Sequence, residues 1–171
     1  LERLAQNTIQ NHTIIDPRVR VAVSVWIPPG ADSTPALRTL GGDGIDGQVI
    51  RTTGGYADVA LVTDPQSRVA VRVQRSRARG TAAGAGKGPL KLENMLRTED
   101  VENGDLIITS GTDGVYPPGL VVGRVANIEK KEHGMFRGAE ILPAVDTTKL
   151  EEVLVVGSPY REAAPVVEGT R

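Results

Sequence analysis

Apolar and polar positions alternate early in the chain. In residues 18–27, RVRVAVSVWI, Val19, Val21, Val23 and Val25 are separated by Arg20, Ala22 and Ser24. A period of two sends alternate side chains to opposite faces, so this segment is predicted as a strand with one buried and one wet face. Pro28-Pro29-Gly30 ends it, and residues 31–43 are predicted as a polar loop. Further strands are predicted at 47–52, 58–63 and 68–74, each bounded by Gly or Pro, with Asp64-Pro65 turning between the last two. Residues 80–89, GTAAGAGKGP, are Gly-rich and predicted as a connector between halves. Residues 91–96 fit either a strand or one helical turn. Asn103-Gly104 predicts a hairpin with a type I′ turn, and it leads into residues 105–109, where Leu106, Ile107 and Ile108 fit a strand buried on both faces. Pro117-Pro118-Gly119 turns into strands at 120–128, 139–142 and 153–156, with a helical turn at 150–152. The tail 158–171, SPYREAAPVVEGTR, has the make-up of a disordered end.

The first twelve residues, LERLAQNTIQNH, break the pattern: Leu1 and Leu4 stand one helical turn apart, which predicts a helical stub. It is either a frayed terminal helix or the end of a dimer seam, and Asp16-Pro17 stops it. Strands recurring about every 8–12 residues favour sandwiches or barrels over a parallel sheet. Two stretches also run in parallel. Residues 44–49, 59–64 and 69–73 (GIDGQV, VALVTD, VAVRV) are matched by 119–125, 139–146 and 153–156 (GLVVGRV, AEILPAVD, VLVV). Either a pair of related β units or a chance recurrence of short strands and glycines produces this.

Composition sharpens the class. Hydrophobic residues make up 39% of the 171, with one Trp, three Tyr and one Phe, so the core is aliphatic; 20 Gly and 11 Pro fit short strands and tight turns. Lys and Arg (20) nearly balance Asp and Glu (21), giving a net charge of -1 and no whole-chain field toward nucleic acid or membrane. Without cysteine there is no disulfide, thiolate nucleophile or cysteine metal site, and the two histidines, His12 and His133, are too far apart in sequence to mark one. No cofactor is expected. No run of about 18 apolar residues marks a membrane helix, and a chain that begins at Leu1 leaves room for an anchor upstream.

Three motifs invite chemistry and fail on context. Residues 42–47 match GxGxxG, but residues 48–51 are predicted as strand where a dinucleotide site needs a helix. GAGKG at 84–88 lacks the first P-loop glycine, replaced by Thr81, and the magnesium-holding hydroxyl, replaced by Gly88. Ser110 has no imidazole placed to activate it, since His12 is on the stub and His133 in the charged turn EKKEHG; Ile108 and Thr112 occupy the glycine positions of a nucleophile elbow. Arg68, Arg72, Arg75, Arg77 and Arg79 form a stretch with no acid from 68 to 80, and Arg68 and Arg72 share a face opposite Val69, Val71 and Val73. That face is either a solvated strand surface or a docking patch for an acidic protein or lipid head groups, with Arg68, Arg72 and Arg75 as the candidate interaction residues. No aromatic residue lies there to stack bases, which disfavours nucleic acid.

Taken in order, GIDGQVI, ADVALVTDPQSRVAVRV, VENGDLIITSGTDGVYPPGLVVGRV and AEILPAVDTTKLEEVLVV resemble the extracytoplasmic region of the MreC family of rod shape-determining proteins, over about residues 40–157. The resemblance implies two six-stranded β-barrels of chymotrypsin-like topology without catalytic residues. It implies a coiled coil ending near residue 15, barrels at 16–80 and 81–157 with strand exchange between them allowed, and a tail at 158–171. It further implies a single-pass inner-membrane anchor outside this chain and a periplasmic scaffold of the elongation machinery. Its partners would be a penicillin-binding transpeptidase, MreD, MreB through the absent N-terminus, and a second copy in dimers or filaments, with Leu1 and Leu4 at the dimer seam. The motif falls on Gly104, Asp105, Thr109, Ser110, Gly111, Pro118, Gly119 and Gly123, read as determinants of the fold. The rival readings are a serine hydrolase of two-barrel fold and a barrel that binds nucleic acid or glycan.

Overall fold

The computed structural model describes residues 14–16, 20–23, 37–41, 43–53, 56–86, 88–129, 134–147 and 153–157. Within them the protein is all β. The strands are β1 (Ile14–Asp16), β2 (Arg20–Val23), β3 (Leu37–Leu40), β4 (Ile45–Thr53), β5 (Tyr56–Leu61) and β6 (Arg68–Val73). They continue with β7 (Arg79–Ala83), β8 (Leu90–Leu96), β9 (Leu106–Thr109), β10 (Val121–Ile128), β11 (Phe136–Pro143) and β12 (Leu154–Gly157). The stub with Leu1 and Leu4, the 150–152 turn and the tail lie outside the described residues.

Six strands, β6 to β11, close into a barrel, and the other six form a sheet in the order β1-β2-β5-β4-β3-β12. Two closed barrels are expected from the resemblance; among the described residues the first unit is an open sheet, because β1 and β12 end it without pairing to each other. Nor does the change of sheet fall at 80/81: β6 and β7 belong to the barrel, and the chain crosses over in the turn at 62–67. Two short strands contradict the loop predictions. β3 lies inside the segment expected to be polar loop. β7 takes up the first half of the expected connector, where a Cβ on Gly80 would come within 2.8 Å of Leu92 Cδ1 and where Ala82 and Ala83 are buried, so its small residues are those of a crowded strand, not a linker. Asn103-Gly104 also departs from expectation. Only Gly104 has positive φ (90°), and the Asp105 amide donates to Glu102 O at 3.2 Å, as in a type II turn; no paired hairpin flanks it, since β9 pairs with β6 and β10.

The two units match pair by pair. Read from β7, the barrel order is β7-β8-β11-β10-β9-β6, the counterpart of β1-β2-β5-β4-β3-β12, with the β6–β7 ladder as closure. Gly47 opposes Leu61 and Gly123 opposes Pro143, and both ladders shift register just beyond, at Val49/Arg51 and at Val125/Asn127. The Val62 amide donates to Asp46 O at 2.8 Å, as that of Ala144 donates to Val122 O at 2.9 Å. Added Cβ atoms at Gly47 and Gly123 would lie 2.3 Å from Ala60 O and 2.1 Å from Leu142 O, so glycine recurs where the neighbouring backbone leaves no room.

Alternation builds the core. On β6, Val69, Val71 and Val73 point into the barrel while Arg68 is exposed and Arg72 half-buried. Leu90, Met95, Ile107 and Ile141 are fully buried beside them, each contributing about 1.5–3 kcal/mol relative to an exposed side chain. Ile45 and Val62 of the first unit join this same cluster and seat the sheet on the barrel.

Candidate interaction surface

Where the sheet meets the barrel a cleft of about 300 Å³ opens, walled by Ile50 and Ala60 from the sheet, Arg68 at the start of β6, and Val115 and Tyr116 from the β9–β10 loop. Its lining is mixed: Tyr116 is buried and Ile50 is 41% exposed on its strand, while Gln48, Asp64, Gln66 and Ser67 add polar groups. Arg68 is steered by the adjoining turn, since its Nη1 donates to the carbonyls of Pro65 and Ser67 at 2.8 Å each. Its nearest carboxylate, that of Glu93, is 3.9 Å away with both side chains about half exposed, which answers the charge weakly. Arg72 shares the outer face, and its Nε has no hydrogen-bond partner among the described residues.

Arg75 is not part of this surface. Its Nε and Nη2 donate to the two carboxylate oxygens of Asp105 at 2.9 Å each, its Nη2 reaches Asp100 at 3.2 Å, and the Glu102 carboxylate lies 3.8 Å away. The planar fork suits such bidentate pairing. Hydrogen bonds from Arg75 hold both the Asp105 and the Asp100 carboxyl below the usual range, and those to Asp105 and then Asp100 raise Arg75 itself. Asp105 also accepts the Glu102 amide at 2.9 Å, so the cluster pins the turn after β6 to the loop before β9.

The motif residues organise the β9–β10 loop. Thr109 is fully buried; its Oγ1 donates to Pro117 O and accepts the Leu120 amide at 2.9 Å, while the Gly119 amide donates to Thr109 O at 2.9 Å. Gly111 has φ 78° and lies against Pro118: a Cβ there would come within 3.0 Å of the ring. Ser110 Oγ is engaged locally, 2.8 Å from Thr112 Oγ1 and accepting the Thr112 amide at 3.3 Å. His12 and His133 lie outside the described residues. Within the P-loop-like stretch, the Gly86 amide donates to Thr63 O at 2.8 Å and is not available to a phosphate. Among the described residues no group of three metal-ligating side chains occurs, and no helix is long and apolar enough to cross a membrane.

One ionisable residue escapes the motif reading. Asp46 is 1% exposed, neither carboxylate oxygen has a hydrogen-bond partner among the described residues, and burial pushes it up from 3.8 to about 7. The sequence carries one signal for it: laying GIDGQV over LVVGRV sets Asp46 opposite Val122. Ile50 and Tyr116 carry none, because a cleft between two sheets is invisible to local periodicity.

Comparison with known proteins is consistent across sequence and structure. Residues 34–157 match the family model described as rod shape-determining protein MreC, barrel core. The cell shape-determining proteins MreC of Geobacillus stearothermophilus and Bacillus subtilis are each 39% identical over 101 residues, covering 55% of this chain and 35% of theirs. The chain thus spans about a third of the length of these relatives. The crystal structure of MreC from Pseudomonas aeruginosa superposes with TM-score 0.78 at 25% identity, covering 87% of this chain and 96% of that one. The MreC of a complex with penicillin-binding protein PBP2 from Helicobacter pylori shares the fold, with TM-score 0.70 at 19% identity over 90% of this chain and 96% of that one.

Proposed function

The chain belongs to the MreC family of rod shape-determining proteins, and from that premise we propose that it is a non-catalytic periplasmic scaffold that organises peptidoglycan synthases during cell elongation. The observation that carries this reading is the family match, which runs through both the sheet and the barrel. A relative of the same fold is solved in complex with a penicillin-binding protein, which makes a transpeptidase the first partner to test. The cleft beside Arg68 is the docking surface: Ile50 and Val115 offer apolar contact, and Arg68 offers a weakly answered charge to an acidic segment of the partner. MreD, MreB and a second copy joined through Leu1 and Leu4, in dimers or filaments, are further contacts of the membrane-anchored whole protein. Ser110 acts as a turn residue, its hydroxyl shared with Thr112.

The test is capture of the penicillin-binding transpeptidase by the full-length protein carrying Arg68→Glu together with Ile50→Asp. Both changes are at exposed positions, so the circular dichroism spectrum stays that of the parent while binding and rescue of rod shape are lost. Unchanged binding removes the cleft from the reading. Labelling of Ser110 by a fluorophosphonate, abolished by Ser110→Ala, overturns the scaffold reading itself.

A further inference from the structure

We propose that Asp46 is a proton-binding site built into the seam between the sheet and the barrel, and that its ionisation loosens that seam. Three observations carry this. The pairing of β3 with β4 steps from Thr39↔Gly47 to Leu40↔Ile45, so Asp46 is the extra residue of a β-bulge, a device that re-aims a side chain. The bulge turns the carboxyl inward, where both oxygens, and Thr39 Oγ1 on the paired strand, are buried without partners among the described residues. At the corresponding bulge of the barrel, between Ile108↔Val121 and Ile107↔Gly123, stands Val122, equally buried at 1%. A valine therefore suffices for the packing, and the acid at the matching position adds a titratable group that packing does not require.

The surroundings place this group at the seam. An added Cβ on Gly41 would stand 3.0 Å both from Asp46 Oδ1 and from Val145 Cγ1, and one on Gly44 would meet Val121 O at 2.5 Å and Ala144 Cβ at 3.0 Å. The Asp46 carbonyl accepts the Val62 amide, so the same residue holds the crossover turn. The ionisable groups on neighbouring elements are Asp43 on the adjacent turn and Asp146 beside Val145, both exposed, and Asp58 of β5, which pairs with Arg51. The side chains of Arg38, Lys149, Glu151 and Glu152 are outside the described ones. Burial is the one cause that raises Asp46.

As a neutral acid Asp46 fits the apolar seam. On releasing its proton to water it becomes a carboxylate that needs solvation, and Gly41 and Val145, packed against it, must part to supply it. In the opened seam the carboxyl titrates at its ordinary 3.8, in the closed seam at about 7. The folded value is the raised one, so the closed seam is fully favoured below about pH 4 and weakens as pH rises. The open-to-closed ratio grows about tenfold per pH unit between those limits and is level above pH 7.

The experiment is a carbon-13 titration of the Asp46 carboxyl in the intact 171-residue chain. It is read beside amide-exchange protection at Val62 and Ala144, corrected for intrinsic rates, in the parent and in Asp46→Asn. A midpoint near 7, with protection that falls with pH in the parent and stays flat in the variant, supports the proposal. A midpoint near 4, as a cation from the undescribed segments would produce, overturns it. So does the same pH trend in Asp46→Asn. If that variant fails to fold, the titration of the parent decides alone.

Discussion

Replacing Thr109 by Val preserves shape and removes one hydroxyl. In the parent that oxygen accepts the Leu120 amide at 2.9 Å and donates to Pro117 O, inside a side chain with no exposed surface. Valine leaves both backbone groups without their partner. Leaving a buried donor unsatisfied costs about 1–3 kcal/mol, and losing the second bond costs about 1 kcal/mol more. Leu120 and Pro117 are only half-buried, so water relieves part of this, and the expected loss is about 2–3 kcal/mol. For a chain of this size that lowers Tm by about 4–12 °C. Thr109→Ser keeps the hydroxyl and removes one methyl group, at about 1 kcal/mol. Urea denaturation of the three proteins should therefore rank the parent above Ser and Ser above Val, with amide exchange at Leu120 accelerated in Val alone. A Val variant as stable as Ser would show that the methyl, not the hydroxyl, holds the β9–β10 loop.

Two further outcomes are expected. Gly123→Ala forces a Cβ to within 2.1 Å of Leu142 O, a backbone atom that cannot swing aside, and should cost about 3 kcal/mol with loss of exchange protection at Ala144; protection equal to the parent would refute the crowding. Arg75→Gln removes the hydrogen bonds that depress Asp100 and Asp105. Depressed carboxyls stabilise the fold above their unfolded value of 3.8 and lose that contribution as pH falls through their folded values. The parent should thus lose more stability between pH 6 and pH 2 than the variant; equal losses in urea midpoint would show that the cluster is inert.

What could be read in advance follows the range of each signal. β6 was legible because its buried and exposed positions alternate without interruption, and the buried run of β9 because Leu106, Ile107 and Ile108 have no polar break. β7 was not, because Gly80 and Ala82 are small for tertiary reasons: both face Leu92 across the ladder, and composition alone cannot separate that from a linker. β3 was hidden because Leu37 and Leu40 are three apart, which is not a strand period. The basic stretch was visible, but the fate of its charges was not: the acids that neutralise Arg75 follow 25 and 30 residues later, whereas among the described residues Arg68 finds only Glu93, at 3.9 Å.

Strand order has a mechanical corollary. All six barrel strands come from one continuous stretch, residues 68–143, whereas the sheet is assembled from residues before and after it, with β1 and β12 as its opposite margins. Among the described residues the chain therefore enters and leaves through the same unit, and the barrel hangs from it as a closed excursion. Tension between the two ends of the described chain would be carried strand by strand across the sheet and would not reach the barrel until β12 had peeled from β3.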